Sequence, residues 1–266
     1  AAGGLSTGKL FLAGIGPGLM LCAAMCILVA RITRKRGYPR GPKYTVRESL
    51  KIVSDGFLGV MTIVIILLGV CTGVFTTTES AAIACVYALF VTLFIYKSIK
   101  VKDIWRIAKK SLGTLAMILS IIAAANAFCY LMSLMQVPAK ITQMLLTVSD
   151  NKYVGLILIN ILLLVLGCFM DVAPLILIVT PILLPVVKAL GMDPIHFGIV
   201  IMMNLAVGSL TPPVGTTLFA GCAVGDIPIE KATKALLPYY AVMVVALLLV
   251  TYIPAFSMTL PNLLMH

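Results

Sequence analysis

The sequence has 266 residues, of which 61% are hydrophobic and 11% are charged, and its mean hydropathy is +1.14. Soluble domains average about 45–50% apolar and about 25% charged residues, so this composition excludes an ordinary soluble protein and indicates a membrane protein. The net charge of +11 does not indicate a nucleic-acid partner, because the basic residues cluster in short stretches between apolar runs.

Eight apolar segments are predicted to form helices. Charged residues or turn-forming glycine and proline separate them, and most approach the ~20 apolar residues that a membrane-spanning helix needs. The sequence therefore predicts an all-α polytopic membrane protein. In chain order the segments cover 10–30, 56–75, 80–96, 112–134, 153–170, 172–190, 196–225 and 236–260.

Two basic stretches determine the predicted orientation of these helices. Residues 31–51 hold eight lysines and arginines, and residues 97–110 hold six. Short loops rich in lysine and arginine stay in the cytoplasm, so both stretches are expected on the inner face, in contact with membrane lipid. Around Trp105 basic and apolar residues alternate at helical spacing, which predicts a helix near 101–111 in the headgroup plane. A solvated loop is the alternative for this segment.

The apolar stretch 153–190 is interrupted around Asp171. Pro174, three residues later, is tolerated at the start of a helix better than in its interior, so a second helix is expected to begin there. The stretch is therefore predicted to form a re-entrant helical hairpin with its tip near Asp171. Because intramembrane charges are rare and functional by default, Asp171 is expected either to cap the second helix or to supply an oxygen to a bound cation.

The segment 196–225 is interrupted at residues 208–216, which read GSLTPPVGT. The two consecutive prolines remove two backbone donors and disfavour helical geometry in the residues before them, so the helix is expected to unwind. Unwound backbone at membrane depth is tolerated only where protein or a water-filled cavity receives its polar groups. A hairpin beside a broken helix is how ion-coupled carriers build a site at the bilayer centre. A kinked bundle without a transport role is the alternative.

Oxygen atoms around this interruption suit a sodium ion, since hard cations prefer oxygen ligands. The unwound backbone offers carbonyl groups, and nearby side chains offer hydroxyl and amide oxygens. Asn204 lies one helical turn before Gly208 and is expected to face the same cavity. The candidate side chains are those of Asn204, Ser209, Thr211, Thr216 and Thr217.

A second acidic residue, Glu79, follows a run of threonines. The spacing Thr76-x-x-Glu79 matches a capping box, in which both side chains satisfy free amides at the start of a helix. A contribution to an ion or substrate path is the alternative, because the positive end of the helix that begins here could face an anion.

The seven cysteines lie almost all within apolar runs, with no CxxC pair and no histidine nearby, so they are interpreted as small core residues and not as zinc ligands. The sequence contains no Walker A loop, GxSxG motif or His-Glu metal motif. It therefore does not predict an enzyme.

Four motifs resemble those of the large membrane subunit of tripartite ATP-independent periplasmic (TRAP) transporters. The first, GVFTTTESAA at 73–82, is similar to the family's GxFTxTEAA, although Thr77 stands where the family usually has proline. The others follow in the family's order, and the resemblance runs essentially from end to end. They are FMD at 169–171 with IVTPILLP at 178–185, GMDPIHFG at 191–198, and NLAVGSLTPPVG at 204–215.

The resemblance implies an elevator-type secondary transporter with inverted repeats, in which a transport domain of hairpins and broken helices slides against a scaffold. The family's first hairpin and first broken helix precede the motif at which this sequence begins, so the chain resembles the carboxy-terminal part. The implied domains are 1–52 (the end of the first repeat, a transmembrane helix and a basic cytoplasmic loop), 53–152 (transmembrane helices with the interfacial helix), 153–225 (the second hairpin and the broken helix) and 226–266 (the carboxy-terminal transmembrane helix).

The implied function is sodium-coupled symport of a small organic carboxylate, such as a C4-dicarboxylate or sialic acid, across the bacterial inner membrane. The implied partners are a periplasmic substrate-binding protein and a small four-helix membrane subunit. A channel, or a structural subunit without its own ion site, is the alternative. The implied sodium ligands are Asp171, Asn204, Gly208, Ser209, Thr211 and Gly215. The implied substrate-binding residues are Thr78, Glu79, Pro212, Pro213 and Thr216.

Overall fold

The computed structural model describes residues 6–37, 45–137, 139–140, 143 and 152–264. Within this part of the chain the regular secondary structure is helical, as predicted. The helices are α1 (Thr7–Arg36), α2 (Val46–Cys71), α3 (Thr77–Phe90, extended by a π-helical turn, Val91–Ile95), α4 (Val101–Leu134), α5 (Lys152–Phe169), α6 (Val172–Ala189), α7 (Pro194–Ser209), α8 (Thr216–Gly225), α9 (Ile229–Tyr252) and α10 (Ala255–Leu264).

Six helices in the described residues are long and apolar enough to cross a membrane, namely α1, α3 with its π-helical turn, α4, α5, α6 and α9. The apolar parts of α2, α7 and α8 are shorter. These lengths confirm the prediction of a polytopic membrane protein.

The chain divides into two compact units, of which the smaller comprises Thr33–Leu119. In this unit the hydroxyl of Tyr87 on α3 donates to the carbonyl oxygen of Leu58 on α2 at 3.1 Å. The same two helices approach closely where Gly69 faces Ser80, because a Cβ atom on Gly69 would lie 2.6 Å from Ser80 Oγ. Small residues therefore hold α2 and α3 together, as is common between membrane helices.

Helix α7 lies at the centre of the larger unit, which comprises Ala1–Ile32 and Ser120–His266. Its sequence is apolar nearly all round, a pattern typical of a helix that is buried on every side, and ten of its 16 residues are buried. Leu163 of α5, Leu183 of α6 and Leu205 of α7 are fully buried in the shared core. The last turn of this central helix leads directly into the predicted interruption.

Glycines bring α1 close to the rest of the larger unit. A Cβ atom on Gly16 would overlap the carbonyl oxygen of Phe256 at the start of α10. A Cβ atom on Gly198 of α7 would lie 2.8 Å from the Leu10 side chain. Since neither space admits a larger side chain without movement, α1 packs closely against α10 through its own Gly16 and against α7 through Gly198.

Both predicted interruptions are present. Helix α5 ends at Phe169 and α6 begins at Val172, while α7 ends at Ser209 and α8 begins at Thr216. Helices α5 and α6 have 18 residues each, which corresponds to about 27 Å of helix and is long enough to cross a bilayer. A re-entrant path for this pair of helices stays a prediction.

The predicted headgroup helix near 101–111 is the first part of α4. This helix runs from Val101 to Leu134 without a break, so the predicted interfacial and membrane segments are continuous. Trp105 is 77% exposed. An exposed indole ring is compatible with a position at the membrane–water interface, where tryptophan is enriched.

The interpretation of the cysteines as core residues is wrong for most of those whose side chains are described. Cys222 is buried, Cys71 and Cys168 are half-buried, and Cys22, Cys26 and Cys85 are exposed. The Cys129 side chain lies outside the described part. The physical reason is that membrane helices expose apolar side chains to lipid, which is as apolar as leucine. An apolar run therefore does not predict burial within the protein.

Candidate functional site

The two helix interruptions lie beside each other. The carbonyl oxygen of Cys168, near the end of α5, accepts hydrogen bonds from the backbone N–H groups of Val214 at 3.2 Å and Gly215 at 3.1 Å. Both donors belong to the six-residue turn 210–215 between α7 and α8, which we call the 210–215 turn. Backbone hydrogen bonds therefore connect the end of α5 to the turn between α7 and α8.

A glycine pair makes this contact possible. A Cβ atom on Gly208 would lie 2.7 Å from the Cα atom of Gly167 and 3.2 Å from the carbonyl oxygen of Leu164. Both atoms belong to the backbone of α5, which cannot move aside as a flexible side chain would. The implied sodium ligand Gly208 thus has a packing role, since it lets the backbones of α5 and α7 touch.

The sequence of the 210–215 turn accounts for its shape. Pro212 and Pro213 have no backbone N–H to continue the helix. Gly215 has a φ of +39°, a region that favours glycine, and a Cβ atom there would lie 2.8 Å from the carbonyl oxygen of Thr211. From outside the turn, the Tyr240 hydroxyl of α9 donates to the carbonyl oxygen of Leu210 at 2.7 Å.

Three hydroxyl groups surround the start of the 210–215 turn. The Thr211 hydroxyl donates to the carbonyl oxygen of Gly208 at 2.8 Å, and the Ser209 hydroxyl donates to that of Ala206 at 2.9 Å. The Thr217 hydroxyl donates to Ser209 Oγ at 3.2 Å. A hydroxyl oxygen that donates its single proton still carries acceptor lone pairs, so this cluster offers oxygen ligands to a cation.

The helix ends at the 210–215 turn have opposite polarity. Helix α7 presents its carbonyl end to the turn, which carries a partial negative charge, and α8 presents its amide end, which carries a partial positive charge. Thr216 is the first residue of α8. One short turn therefore offers a cation-attracting end and an anion-attracting end without a buried charged side chain.

Asp171 caps α6. Its Oδ1 atom accepts a hydrogen bond from the backbone N–H of Val172 at 2.9 Å, and its side chain is exposed. The capping interpretation therefore has a geometric basis. The same carboxylate lies three residues after Cys168, the residue that bonds the 210–215 turn. This closeness is the reason to propose Asp171 as a cation ligand as well.

Asn204 is fully buried on α7, and its amide nitrogen is engaged away from the 210–215 turn. It donates to Oδ1 of Asn160 on α5 at 2.6 Å and to the carbonyl oxygen of Val200 at 2.9 Å. Asn160 in turn donates to the Thr251 hydroxyl of α9 at 3.2 Å. Within the described residues, Asn204 Oδ1 has no hydrogen-bond partner. This oxygen is the part of Asn204 that is free to bind a ligand.

Thr78 and Glu79 lie in the smaller unit, at the start of α3. Glu79 accepts a hydrogen bond from the backbone N–H of Thr76 at 2.8 Å, and the Thr76 hydroxyl accepts one from the backbone N–H of Glu79 at 3.3 Å. The predicted capping box is confirmed. Thr78 Oγ1 lies 3.1 Å from Thr76 Oγ1, so the threonine run forms one hydrogen-bonded cluster around this carboxylate.

We expect Glu79→Gln to keep the wild-type apparent melting temperature, because glutamine also completes a capping box, whereas Glu79→Ala should lower it. Thermal unfolding in detergent measures both effects. Substrate uptake by the glutamine variant then tests whether Glu79 also contributes to an ion or substrate path. A loss of uptake at an unchanged melting temperature supports a place for Glu79 in the anion path, and full uptake argues for capping alone.

Sequence reasoning missed three residues that build this site. Cys168, Asn160 and Tyr240 each bond the 210–215 turn or a predicted site residue. For Asn160 a signal was available, because a single amide within an apolar membrane helix is expected to find a polar partner on another helix. For Cys168 and Tyr240, no local sequence pattern predicts the contact.

Comparison with known proteins gives matches along nearly the whole chain. Residues 1–256 match the family described as "Tripartite ATP-independent periplasmic transporter, DctM component". The chain is 40% identical over 99% of its length to the uncharacterized protein YgiK of Salmonella typhimurium. It is also 40% identical, over 97% of its length each time, to the sialic acid TRAP transporter large permease protein SiaM of Vibrio cholerae and the C4-dicarboxylate TRAP transporter large permease protein DctM of Rhodobacter capsulatus. The chain spans 60%, 60% and 59% of these three relatives.

Proposed function

The chain belongs to the DctM-component family of TRAP transporters, and from this premise we propose that the protein carries a small organic carboxylate into the cell together with sodium. Its family and its apolar helices identify it as a multi-pass protein of the bacterial inner membrane. The observation that carries the proposal is the pair of adjacent helix interruptions, joined by the bonds from Val214 and Gly215 to the Cys168 carbonyl. Helix ends that meet in this way are how carriers bind ions and anions within a bilayer.

In this proposal sodium binds among the oxygens at the carbonyl end of α7. Backbone oxygens near Gly208 and Gly215 and the hydroxyl oxygens of Ser209 and Thr211 are the nearest proposed ligands, and all of them are neutral. The free Oδ1 of Asn204 and the Asp171 carboxylate are the further proposed ligands. Sodium is cargo here, carried with the substrate.

The carboxylate is proposed to bind at the amide end of α8. The first backbone N–H groups of a helix lack partners within it, and together with the helix dipole they attract an anion. Pro212, Pro213 and Thr216 border this end. For Thr78 and Glu79, which belong to the smaller unit, a role in substrate binding stays a separate prediction.

The names of the relatives suggest the substrate class. Two of them are named for sialic acid and for C4-dicarboxylates, and both kinds of molecule are small organic carboxylates. We propose the same class here, delivered by a periplasmic substrate-binding protein to a complex of this protein with a small four-helix membrane subunit. Sodium orders the 210–215 turn first, the anion docks second, and the loaded transport domain then moves.

Uptake into proteoliposomes tests the proposal. The liposomes contain the natural gene product and a small membrane subunit, with a binding protein and labelled sialate or C4-dicarboxylate outside. Accumulation that requires both an inward sodium gradient and the binding protein supports the tripartite carrier. Uptake that ignores both contradicts it. Uptake that equilibrates without accumulating, and does not saturate, favours a channel.

We expect Ser209→Ala and Thr211→Ala each to raise the sodium concentration for half-maximal uptake about three- to tenfold, an effect of the size that loss of one hydrogen bond produces. Uptake measured over a sodium series gives this value. Thr114→Ala is the matched control, because Thr114 is an exposed threonine on α4 whose hydroxyl donates to the carbonyl oxygen of Lys110. An unchanged sodium requirement in both site variants contradicts this placement of the ion.

A further inference from the structure

The side chain of Cys168 contacts the hydroxyl group that the sodium proposal depends on. Cys168 Sγ lies 2.8 Å from Thr211 Oγ1, where either atom can be the donor. The same sulfur lies 3.1 Å from the carbonyl oxygen of Leu164, one turn earlier on α5. The Thr211 hydroxyl has a second acceptor within reach, the carbonyl oxygen of Gly208 at 2.8 Å.

Two arrangements of the protons in this cluster place a hydrogen bond in the 2.8 Å contact between Cys168 Sγ and Thr211 Oγ1. A thiol and a hydroxyl each carry one proton, whereas four acceptors compete for them, namely the carbonyl oxygens of Leu164 and Gly208, Thr211 Oγ1 and the sulfur itself. In the first arrangement the Thr211 hydroxyl donates to Gly208, and the Cys168 thiol donates to Thr211 Oγ1. In the second arrangement the thiol donates to the Leu164 carbonyl, and the Thr211 hydroxyl turns to donate to the sulfur.

Only the second arrangement leaves a lone pair of the Gly208 carbonyl oxygen available to a cation. A carbonyl oxygen has two lone pairs, and that of Gly208 accepts from the backbone N–H of Thr211 at 2.9 Å as well as from its hydroxyl. When the hydroxyl turns away, one lone pair of the carbonyl is released. Thr211 Oγ1 meanwhile loses its thiol donor, so both of its lone pairs become available. Rotation of two protons thereby exchanges two hydrogen bonds for two others and frees two oxygen ligands, with no covalent bond broken.

We propose that Cys168 is a positioning residue for sodium, because its sulfur accepts the Thr211 hydroxyl proton and thereby opens the Gly208 carbonyl and Thr211 Oγ1 to the ion. This inference rests on the proposed sodium-coupled function. Cys168 does not touch the ion and acts only through Thr211. The thiol suits this role because a thiol is both a weak donor and a weak acceptor, so neither arrangement is strongly locked.

Substitutions at Cys168 test the inference in the uptake assay. Cys168→Ala removes the acceptor, so the hydroxyl stays on Gly208, and we expect the sodium concentration for half-maximal uptake to rise about three- to tenfold. Cys168→Ser should keep it within about twofold, because a serine hydroxyl also both donates and accepts. Cys22→Ala is the matched control, since Cys22 is an exposed cysteine of α1. Maximal uptake at saturating sodium should change little in all three.

A double substitution separates positioning from general packing. In a Thr211→Val background no hydroxyl remains to be turned, so adding Cys168→Ala should cause no further rise in the sodium requirement. An additive rise overturns the inference, as does a Cys168→Ala variant with the wild-type sodium requirement, or a serine variant that behaves like alanine. If wild-type uptake itself ignores sodium, the proposed function fails together with the inference.

A spectroscopic measurement covers the case in which the alanine variant does not fold. The S–H stretching band of Cys168, isolated as the infrared difference between the wild type and Cys168→Ser, reports the acceptor of the thiol proton. We expect sodium, and not an equal concentration of choline, to shift this band as the proton moves to the Leu164 carbonyl. A band that does not respond to sodium overturns the inference.

Discussion

Replacing Gly208 with alanine should separate α5 from α7 and abolish uptake. The added Cβ atom would lie 2.7 Å from Gly167 Cα and 2.8 Å from the Gly167 carbonyl carbon, distances that backbone atoms do not tolerate. Inserting even one methyl group into a packed core costs typically about 1–3 kcal/mol and occasionally more. Here the displaced backbone also carries the Cys168 carbonyl that holds the 210–215 turn. We therefore expect both a lower melting temperature and loss of uptake.

The matched control for this substitution is Gly221→Ala. Gly221 lies inside α8, and among the described residues no atom beyond its own stretch of helix backbone lies within 4 Å of the position that its Cβ would take. Alanine in the interior of a helix is more stable than glycine by about 0.5–1 kcal/mol, so this variant should melt at or slightly above the wild-type temperature and retain uptake. A Gly208→Ala variant that is as stable and active as Gly221→Ala would contradict the close packing of α5 on α7.

The helix interruptions could be predicted from the sequence because their causes are local. Two adjacent prolines at 212 and 213 prevent the helix from continuing, whatever surrounds them. An aspartate followed three residues later by Pro174 also predicts a helix start from local sequence alone. The capping box at Glu79 is a four-residue pattern and was predicted for the same reason.

The contacts that join the two interruptions could not be predicted in this way. Cys168 and Thr211 are 43 residues apart, and nothing in either local sequence specifies the other. The helical period places Asn204 one turn before Gly208, which suggested a side chain directed at the interruption. Its amide nitrogen instead bonds Asn160, 44 residues earlier in the chain. Periodicity gives the face of a helix, whereas the packing of α5 on α7 decides what that face meets.

Asn204 has two roles, and replacing it is the second substitution for which we expect a large effect. Its amide nitrogen serves the hydrogen bond to Asn160, and its oxygen is free within the described residues. We expect Asn204→Leu to lower the stability by about 1–3 kcal/mol, since it leaves a buried polar partner less well satisfied, and also to raise the sodium requirement. Thermal unfolding and the sodium series measure the two effects separately.

The Asn160→Leu substitution distinguishes the hydrogen-bonding role of Asn204 from its proposed role as a sodium ligand. It breaks the same hydrogen bond and should lower the stability to a similar extent, but it leaves the Asn204 oxygen in place, so we expect a nearly unchanged sodium requirement. Asn126→Leu, at an exposed position of α4, is the control for an asparagine-to-leucine change in a membrane helix and should alter neither property. Equal rises in the sodium requirement for Asn160→Leu and Asn204→Leu would assign Asn204 to the packing of α5 on α7 and remove it from the ion site. Because the two asparagines contact each other directly, their effects on stability should not add in the double variant, and that non-additivity is the internal check that both substitutions act on one bond.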